Sequence, residues 1–504
     1  MSPGMTRWNL VGCALALAGS ASALTLEALP MYGVFYAGVS EQPCLRVKVS
    51  ARAGEKLEQM CFTPGATRKG VISGAALYHS EVPFFSTRPA QVGQQAEATL
   101  LAKRSAVAGE GKMVFRFKPL SLAAGEHYFW LVYDVAPAAK GGAKVEALLV
   151  SAVDGAGRCV TPPRGKNGSC RADGRTAARP GEVYPFKYRI APYVRPKWVC
   201  LNNKGLLTAE HLKCMTDLIV FGYTHEGTSL RGAHDAVHGQ MDFSDECLQL
   251  ARTLRGSGKA RLLAGFSCNE RNNPMAGLLY DEPARRELAR HVAALVLEKG
   301  YEGIDIDWEY PRENSRYNAK LSWRKFAFFL AELREELAGT GASLSIAVTT
   351  RYDAPNQEVL DGVDFINSMS YGRPGEHSTK KAAQADVDYL VKQCRVPPVK
   401  VVLGLPFFSR DTKPKHTDQG GHGYSTIIGW FPGLPAGRNT FQHPTTGERH
   451  FFNGAELIKD KCRAFVLQQG IGGVCIWAYD TDVPLSHPKS LSKALYTIIK
   501  QAER

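Results

Sequence analysis

The sequence predicts an α/β protein in which an all-β sandwich precedes a TIM (β/α)8 barrel. The chain has 504 residues, more than one ordinary domain, and its 44% hydrophobic and 22% charged residues are typical of globular chains. Short strand-like runs between Gly and Pro turns come first, and apolar strands then alternate with helical stretches. We therefore assign the sandwich to residues 24–160, a linker to 161–194 and the barrel to 195–504.

Residues 1–23 are predicted to be a secretory signal peptide. A single Arg precedes an apolar stretch from Leu10 to Ala18, and Ala21-Ser22-Ala23 forms a small-residue cleavage site. Leu10 to Cys13 also resembles a lipoprotein cleavage box, although the apolar run continues beyond the cysteine. No later run reaches the roughly 18 apolar residues of a membrane span. We therefore expect an exported monomer, either secreted, periplasmic or at the cell surface, without a transmembrane segment.

The cysteines and the positive charge exclude some classes of function. Twelve cysteines, with Cys13 in the leader, leave an odd number, and Cys44–Cys61 and Cys159–Cys170 are plausible local disulfides. No CxxC pair occurs, so the other cysteines are interpreted as buried side chains rather than metal ligands. The net charge of +14 is spread along the chain, which favours a solvated surface over nucleic-acid binding.

The predicted sandwich contains an aromatic strand, LAAGEHYFWLVYDVAP. This segment resembles the β-sandwich modules that accompany secreted bacterial glycosidases. Its side chains Tyr128, Phe129, Trp130 and Tyr133 could stack on sugar rings. Strand alternation turns part of the run inward, however, and core packing is therefore the favoured interpretation.

Eight apolar runs in the second half are predicted to be barrel strands. They are KWVCL, DLIVFGY, ARLLAGF, GIDIDW, SLSIAVT, DFINSMSY, KVVLGLPF and GGVCIW. Helical stretches lie between them, such as Pro283 to Gly300, which has Asp281 before its start and Gly at its end. Eight such alternations fit a β/α barrel, whose functional sites lie at the carboxyl ends of the strands.

The fourth predicted strand, EGIDIDWEYP, carries the residues with the clearest chemistry. Side chains alternate along a strand, so Asp305, Asp307 and Glu309 share one face, and the apolar residues share the other. Three ionised carboxylates this close would repel one another, so at least one should hold a proton at neutral pH. A protonated carboxylic acid can serve as a proton donor, and we therefore predict a catalytic role over a solvated strand.

EGIDIDWEYP closely resembles the Asp-Gly-x-Asp-x-Asp-x-Glu motif of glycoside hydrolase family 18, the chitinases and their relatives, over roughly residues 195–500. The resemblance implies that Glu309 is the general acid and then the base that activates water. It implies that Asp307 orients the 2-acetamido group of the substrate, whose carbonyl oxygen attacks the anomeric carbon. Asp305 would share a proton with Asp307. No enzymic nucleophile and no cofactor are needed, and the cleaved sugar must carry an N-acetyl group.

Other predicted strands resemble further parts of the family pattern. FINSMSYG implies that Met369 lines the pocket and that Tyr371 hydrogen-bonds the acetamido group, and GGVCIWAYD implies that Trp477 forms the floor under the sugar. GLPFFSR resembles the seventh strand and makes Arg410 a candidate substrate-binding residue. Tyr223, at the end of the second predicted strand, is a candidate pocket residue.

The sequence departs from the family pattern at several points. Glu302 replaces the first Asp of the motif, off the acidic face, and Gly372 replaces the Asp that usually follows the Tyr. The third strand ends as AGFSCNE without the usual Ser-x-Gly-Gly turn. Between Pro406 and Gly472 there is no room for the large α+β insertion of many members, so we expect a shallow, open groove.

These observations leave three candidate functions open. The first is hydrolysis of β-1,4-linked N-acetylglucosamine in chitin or chitooligosaccharides. The second is an endo-β-N-acetylglucosaminidase that cuts the chitobiose core of N-glycans, and the third is a non-catalytic chitin-binding lectin, which the presence of Glu309 disfavours. His225, His234 and His238 are interpreted as polar loop residues, so no metal is predicted.

Overall fold

The computed structural model describes most of the chain. The described residues are 24–31, 33–64, 70–87, 97–105, 111–163, 181–202, 206–232, 243–268, 275–309, 311–312, 316–350, 353–413, 415 and 421–503. The predicted signal peptide, Cys170, His234, His238 and the end of the AGFSCNE segment lie outside them. Within the described part of the chain, no helix is both long and apolar enough to cross a lipid bilayer.

The first region consists mainly of antiparallel strands. Its strands are β1 (Thr25–Pro30), β2 (Val34–Phe35), β3 (Gln42–Ala51), β4 (Lys56–Pro64), β5 (Ile72–Ser80), β6 (Thr99–Arg104), β7 (Met113–Ser121), β8 (Gly125–Val135), β9 (Lys144–Val145), β10 (Ala147–Asp154), β11 (Cys159–Val160) and β12 (Gly181–Val183). One sheet has the order β1-β3-β8-β5-β6 and another the order β11-β10-β4-β7. Apolar residues of both sheets form one buried cluster, and β2, β9 and β12 form a third, small sheet.

The aromatic run on β8 is buried, as the core-packing interpretation predicted. Phe129 and Tyr133 belong to the cluster that the two large sheets share. Tyr128 and Trp130 lie on the opposite face in a separate buried cluster, where Trp130 Nε1 donates a hydrogen bond of 2.9 Å to Ser80 Oγ. These four rings therefore serve the core and are not exposed for stacking on a sugar.

The second region is a closed barrel of eight parallel strands, as predicted. The strands of this region are β13 (Arg189–Val194), β14 (Asp217–Glu226), β15 (Ser229–Gly232), β16 (Arg261–Ser267), β17 (Gly303–Asp307), β18 (Ser343–Val348), β19 (Phe365–Ser368), β20 (Val401–Pro406), β21 (Phe408–Asp411), β22 (His422–Gly423), β23 (Thr440–Gln442), β24 (Arg449–Phe451) and β25 (Gly473–Trp477). The barrel order is β13-β14-β16-β17-β18-β19-β20-β25, and β13 closes it by pairing with both β14 and β25.

Helices surround the barrel and bury its outer face. They are α1 (Pro196–Asn202), α2 (Ala209–Leu212), α3 (Ser244–Arg255), α4 (Met275–Tyr280), α5 (Glu282–Glu298), α6 (Ala319–Glu336), α7 (Gln357–Asp361), α8 (Lys380–Asp388), α9 (Tyr424–Trp430), α10 (Ala455–Lys461) and α11 (Leu491–Glu503). Asp281 caps α5 as its position predicted, because its carboxylate accepts a hydrogen bond from Ala284 N.

The first barrel strand lies earlier in the chain than predicted. The run KWVCL forms part of α1, whereas the strand is β13, which falls inside the predicted linker. A short apolar run does not distinguish a strand from a helix by its periodicity. RIAPYV is also hard to recognise as a strand because it contains Pro192, and proline cannot donate a hydrogen bond to a sheet. The barrel therefore starts at Arg189, not at residue 195.

The first region packs against α6 and against the amino ends of the barrel strands. The buried Arg46 of β3 donates a hydrogen bond of 2.8 Å to the Glu335 carboxylate on α6. The Tyr36 hydroxyl donates to the backbone oxygen of Asp364, the residue before β19, over 3.0 Å. Because sites of this fold lie at the carboxyl ends, the first region contacts the barrel away from the candidate site.

The predicted Cys44–Cys61 disulfide is wrong, since both residues are free thiols. Cys44 lies on β3 and Cys61 on β4, and these strands belong to different sheets. Their short separation in sequence suggested a local bridge, but each thiol is buried as a small apolar side chain. Cys159 is also a free thiol, and its predicted partner lies outside the described residues.

Candidate active site

The acidic strand β17 lies inside the barrel wall between β16 and β18. Its apolar residues point outward as predicted, and Trp308 packs against Trp323 and Phe326 of α6 with ring centroids 5.0 and 5.1 Å away. Asp305 and Asp307 are buried, and Glu309 is half-buried just beyond the strand. The alternation of side chains along β17 thus separates the acidic residues from the helical layer.

Asp305 is fully buried and accepts hydrogen bonds from three neutral side chains. Its oxygens lie 2.7 Å from the Tyr193 hydroxyl, 2.6 Å from Ser345 Oγ and 2.9 Å from Asn367 Nδ2. Burial raises the pKa of Asp305 above its ordinary value, and the three hydrogen bonds act against that rise. Asp305 is therefore suited to keep a proton at a higher pH than an exposed aspartate does.

Tyr371 lies beside the acidic strand, just after β19. Burial is the largest cause that raises the pKa of Tyr371 well above its ordinary value, followed by Cys475 and the carboxylates of Asp307, Glu309 and Asp305. The phenol therefore stays protonated and can donate a hydrogen bond. The three predicted acidic residues are therefore close enough to Tyr371 to raise its pKa.

Gly404 on β20 makes room for the ring of Tyr371. A Cβ at Gly404 would lie 2.8 Å from Tyr371 Cε1 and 2.5 Å from the backbone oxygen of Ser368. Real Cβ atoms are not found at such distances, so β20 needs glycine where it passes the site.

Trp477, at the end of β25, lies over the interior of the barrel. Its ring centroid is 5.0 Å from that of Phe221 and 5.7 Å from that of Tyr193, both nearly perpendicular. Met369 belongs to the same partly buried cluster at the carboxyl end of the barrel. The predicted floor residue Trp477 and the predicted lining residue Met369 therefore lie at one mouth, together with the aromatic residue Phe221.

Tyr223 was predicted as a pocket residue, and the structure places it elsewhere. Its side chain is buried in the outer layer of the barrel, and its hydroxyl lies 2.9 Å from that of Tyr301. The pairing of β14 with β16 shifts between Phe221 and Tyr223, and this bulge at Gly222 turns Tyr223 outward, away from the interior face of Phe221. A glycine inside a strand-like run was the available signal.

Arg410 lies on β21, close to an aromatic ring that borders the site. It is half-buried, and its guanidinium carbon lies 5.9 Å from the ring centre of Phe408. The Phe408 ring in turn lies 5.8 Å from that of Tyr371.

A small sheet, β22-β21-β24-β23, occupies the segment between β20 and β25, together with α9. The sequence predicts that this segment has no room for the large α+β insertion of many family members. Its strand β21 places the Phe408 ring 5.8 Å from that of Tyr371. The shallow, open groove expected from the sequence stays a prediction.

Two departures from the family motif have local explanations. Glu302 lies before β17, where its carboxylate accepts from Leu262 N over 3.0 Å and pairs with Arg255 at 2.6 Å, away from the acidic face. Gly372 has a φ of 73°, a left-handed conformation that glycine adopts without steric cost. Its backbone therefore favours glycine where other members carry Asp.

The described residues contain no group of three His, Cys, Asp or Glu side chains arranged to hold a metal ion. His225, one of the three histidines considered from the sequence, is buried, and its Nδ1 lies 3.1 Å from the backbone oxygen of Gly227. That hydrogen bond fits a structural role in the turn after β14.

The acidic residues, the tyrosine and the tryptophan lie at the carboxyl end of the barrel strands, where the functional sites of this fold are found. Residues 270–482 match the family model described as Glycosyl hydrolases family 18. This part of the chain is therefore a chitinase-like domain of glycoside hydrolase family 18.

The chain is also similar to known proteins in sequence and in structure. A probable chitinase 2 of Drosophila melanogaster is 24% identical over 268 residues, which are 42% of this chain and 54% of that protein. The chain thus spans about half the length of this curated relative. A solved chitinase of Bacteroides thetaiotaomicron matches with a TM-score of 0.53 and 20% identity over 63% of this chain and 98% of its own.

A second solved structure is catalytic domain 2 of a group II chitinase from Ostrinia furnacalis, in complex with penta-N-acetylchitooctaose. It matches with a TM-score of 0.51 and 17% identity over 63% of this chain and 97% of its own. At these identities the structural matches concern the fold alone, which is the barrel described above.

Proposed function

We propose that the protein hydrolyses β-1,4-linked N-acetylglucosamine in chitin or chitooligosaccharides. The observation that carries the proposal is the row of Asp305, Asp307 and Glu309 along and just beyond β17, whose charges contribute to the raised pKa of the buried Tyr371. We also propose that the protein is exported, on the basis of the leader-like first 23 residues.

The proposed reaction uses the substrate's own acetamido group. Glu309 donates a proton to the glycosidic oxygen while the acetamido carbonyl oxygen bonds to the anomeric carbon, so the leaving sugar departs and an oxazolinium ion forms. Glu309 then removes a proton from water, whose oxygen attacks the anomeric carbon and reopens the ring. Two displacements at one carbon retain its configuration.

The remaining residues stabilise that intermediate in this proposal. Asp307 accepts a hydrogen bond from the acetamido N–H, and the protonated Tyr371 donates one to the acetamido oxygen. Asp305 sets the protonation of Asp307 from its buried position, where neutral donors surround it. The Trp477 ring lies under the apolar face of the sugar at the point of cleavage.

The decisive experiment compares Glu309→Gln with the wild type on chitohexaose and on an N-glycoprotein, with products identified by mass spectrometry. The wild type should release N-acetylated oligosaccharides from chitohexaose. Glu309→Gln should lower kcat by at least about a hundredfold, since it removes the general acid, while binding persists.

Glu302→Gln is the matched control, because it makes the same chemical change before the same strand but off the acidic face. It breaks a partly exposed ion pair with Arg255, which costs at most about 1 kcal/mol, and kcat should not change. Release of N-glycans without cleavage of chitohexaose would instead identify an endo-β-N-acetylglucosaminidase. Sugar binding without any cleavage would leave a lectin.

A further inference from the structure

Lys461 is the last residue of α10 and is fully buried. Its ammonium group makes three hydrogen bonds. Its Nζ donates to Ser378 O over 2.9 Å, to Ser378 Oγ over 2.8 Å and to Asn453 Oδ1 over 2.7 Å. All three acceptors are uncharged oxygens. Burial lowers the pKa of Lys461 to about 7, against smaller opposing effects of Cys462 and Asp386. An ammonium group in such surroundings is costly to keep, so its contacts call for an explanation.

The contacts of Lys461 lead to the segment that carries Tyr371. Ser378 Oγ, which accepts from Lys461, donates a hydrogen bond of 2.8 Å to the backbone oxygen of Ser370, the residue before Tyr371. Asn453 Nδ2 donates to Ser378 O over 3.1 Å, so it fixes the same residue from a second direction. Lys461 and Asn453 thus both hydrogen-bond to Ser378. Ser378 in turn hydrogen-bonds to Ser370, so the two side chains fix the position of the residue next to Tyr371.

The segment between Ser370 and Ser378 is closed on itself by His377. Gly372 N donates to His377 Nδ1 over 3.3 Å, and Arg373 N donates to His377 O over 3.2 Å. The buried His377 ring lies 5.1 Å from the ring of Phe408, which packs against Tyr371. Any shift of Ser378 would therefore move the backbone of Tyr371 and the ring beside it.

We propose that Lys461 is a positioning residue for Tyr371, acting through Ser378. The inference rests on the proposed function, in which Tyr371 binds the acetamido group. Lys461 touches no substrate, since it is fully buried. Its three donors satisfy both oxygens of Ser378 and the oxygen of Asn453 at once, which an apolar side chain of the same length cannot do.

The test is Lys461→Met, with Arg285→Met as the matched control. Arg285 is also a buried cation and donates to Glu332 over 2.9 and 2.8 Å, but it lies on α5, among the outer helices. Both variants should unfold at lower temperature than the wild type. At a temperature where both are folded, Lys461→Met should lower kcat on chitohexaose about tenfold or more, and Arg285→Met should leave kcat unchanged. An equal kcat in both variants, or an unchanged kcat in Lys461→Met, would overturn the proposal.

Ser378→Ala provides a second variant. It removes the hydroxyl that links Lys461 to Ser370, and it leaves the Lys461 side chain in place. It should lower kcat, and adding Lys461→Met to it should lower kcat by less than the product of the two single effects. Independent, multiplicative effects would contradict this link. This variant decides the question if Lys461→Met does not fold.

Binding measurements separate this inference from the proposed function. In a Glu309→Gln background, calorimetry with chitohexaose should show weaker binding for Lys461→Met than for Arg285→Met, and Tyr371→Phe should remove that difference. If the wild type cleaves no substrate, the proposed hydrolysis is wrong, and the binding result still decides the positioning role. A difference that persists in Tyr371→Phe would show that Lys461 acts on something other than Tyr371.

Discussion

The barrel buries two aspartates in different ways, one at the amino end of β14 and one on β17. Asp217 accepts from Arg189 Nη1 over 2.6 Å and from the Tyr184 hydroxyl over 3.0 Å, so a full positive charge faces it. Asp305 accepts from neutral groups only, namely a tyrosine, a serine and an asparagine. A countercharge favours the ionised carboxylate, whereas neutral donors leave the proton easier to keep. The first arrangement is suited to holding domains together and the second to handling a proton.

The largest expected effect comes from breaking the charge pair at the amino end. Arg189→Met would leave the buried Asp217 with Arg261, 4.0 Å away, as its remaining cation, and a broken buried pair costs about 3–5 kcal/mol. Urea unfolding should show this loss, with kcat unchanged in the remaining folded protein. Arg189→Met with Asp217→Leu should recover much of it, and no recovery would show that the ring contacts of Arg189 with Phe365 and Tyr184 matter more than its charge.

At the acidic strand we expect a small loss of stability and a large loss of kcat. In Asp305→Asn the remaining oxygen can accept from Ser345 and Asn367, and the new NH2 can donate to the Tyr193 hydroxyl oxygen. Stability should therefore fall by only about 1 kcal/mol. We expect kcat to fall about tenfold or more, since the residue can no longer exchange a proton with Asp307. A large loss of stability with normal kcat would mean that Asp305 serves the fold, as Asp217 does.

The smallest effect is a dependence of stability on pH. Because the pKa of Asp305 is raised above its ordinary 3.8, the unfolded chain loses this proton first as the pH increases. The folded state then binds more protons, so the contribution of Asp305 to stability is full below pH 3.8 and declines as the pH rises through the raised pKa. Subtracting the unfolding free energy of Asp305→Asn from that of the wild type across this range should reveal the decline. A difference that is independent of pH would contradict it.

Much of the fold and site could be predicted from sequence because the governing patterns are local. Alternation along β17 is enough to put Asp305, Asp307 and Glu309 on one face, and the order of strands places Met369 and Trp477 at the same mouth. These predictions needed only the period of a strand and the direction of parallel strands.

The predictions that failed depended on features that strand alternation alone does not contain. A bulge at Gly222 turns Tyr223 away from the barrel interior, although alternation along β14 would put it on the same face as Phe221. The contact between Lys461 and Ser378 joins residues 83 positions apart, so it appears only in the folded chain. The start of the barrel was missed because RIAPYV is short and contains Pro192, which is uncommon within a sheet.

The packing of the first region against the amino ends of the barrel strands affects which fragments of the protein can be expressed. Arg189 begins the barrel, yet its Nη2 lies 3.3 Å from the hydroxyl of Tyr36, which belongs to the first region. A recombinant fragment that started at residue 189 would keep the carboxylates of the site but lose the rings of Tyr36 and Tyr184, which now contact Arg189. The barrel should therefore be expressed together with residues 24–188.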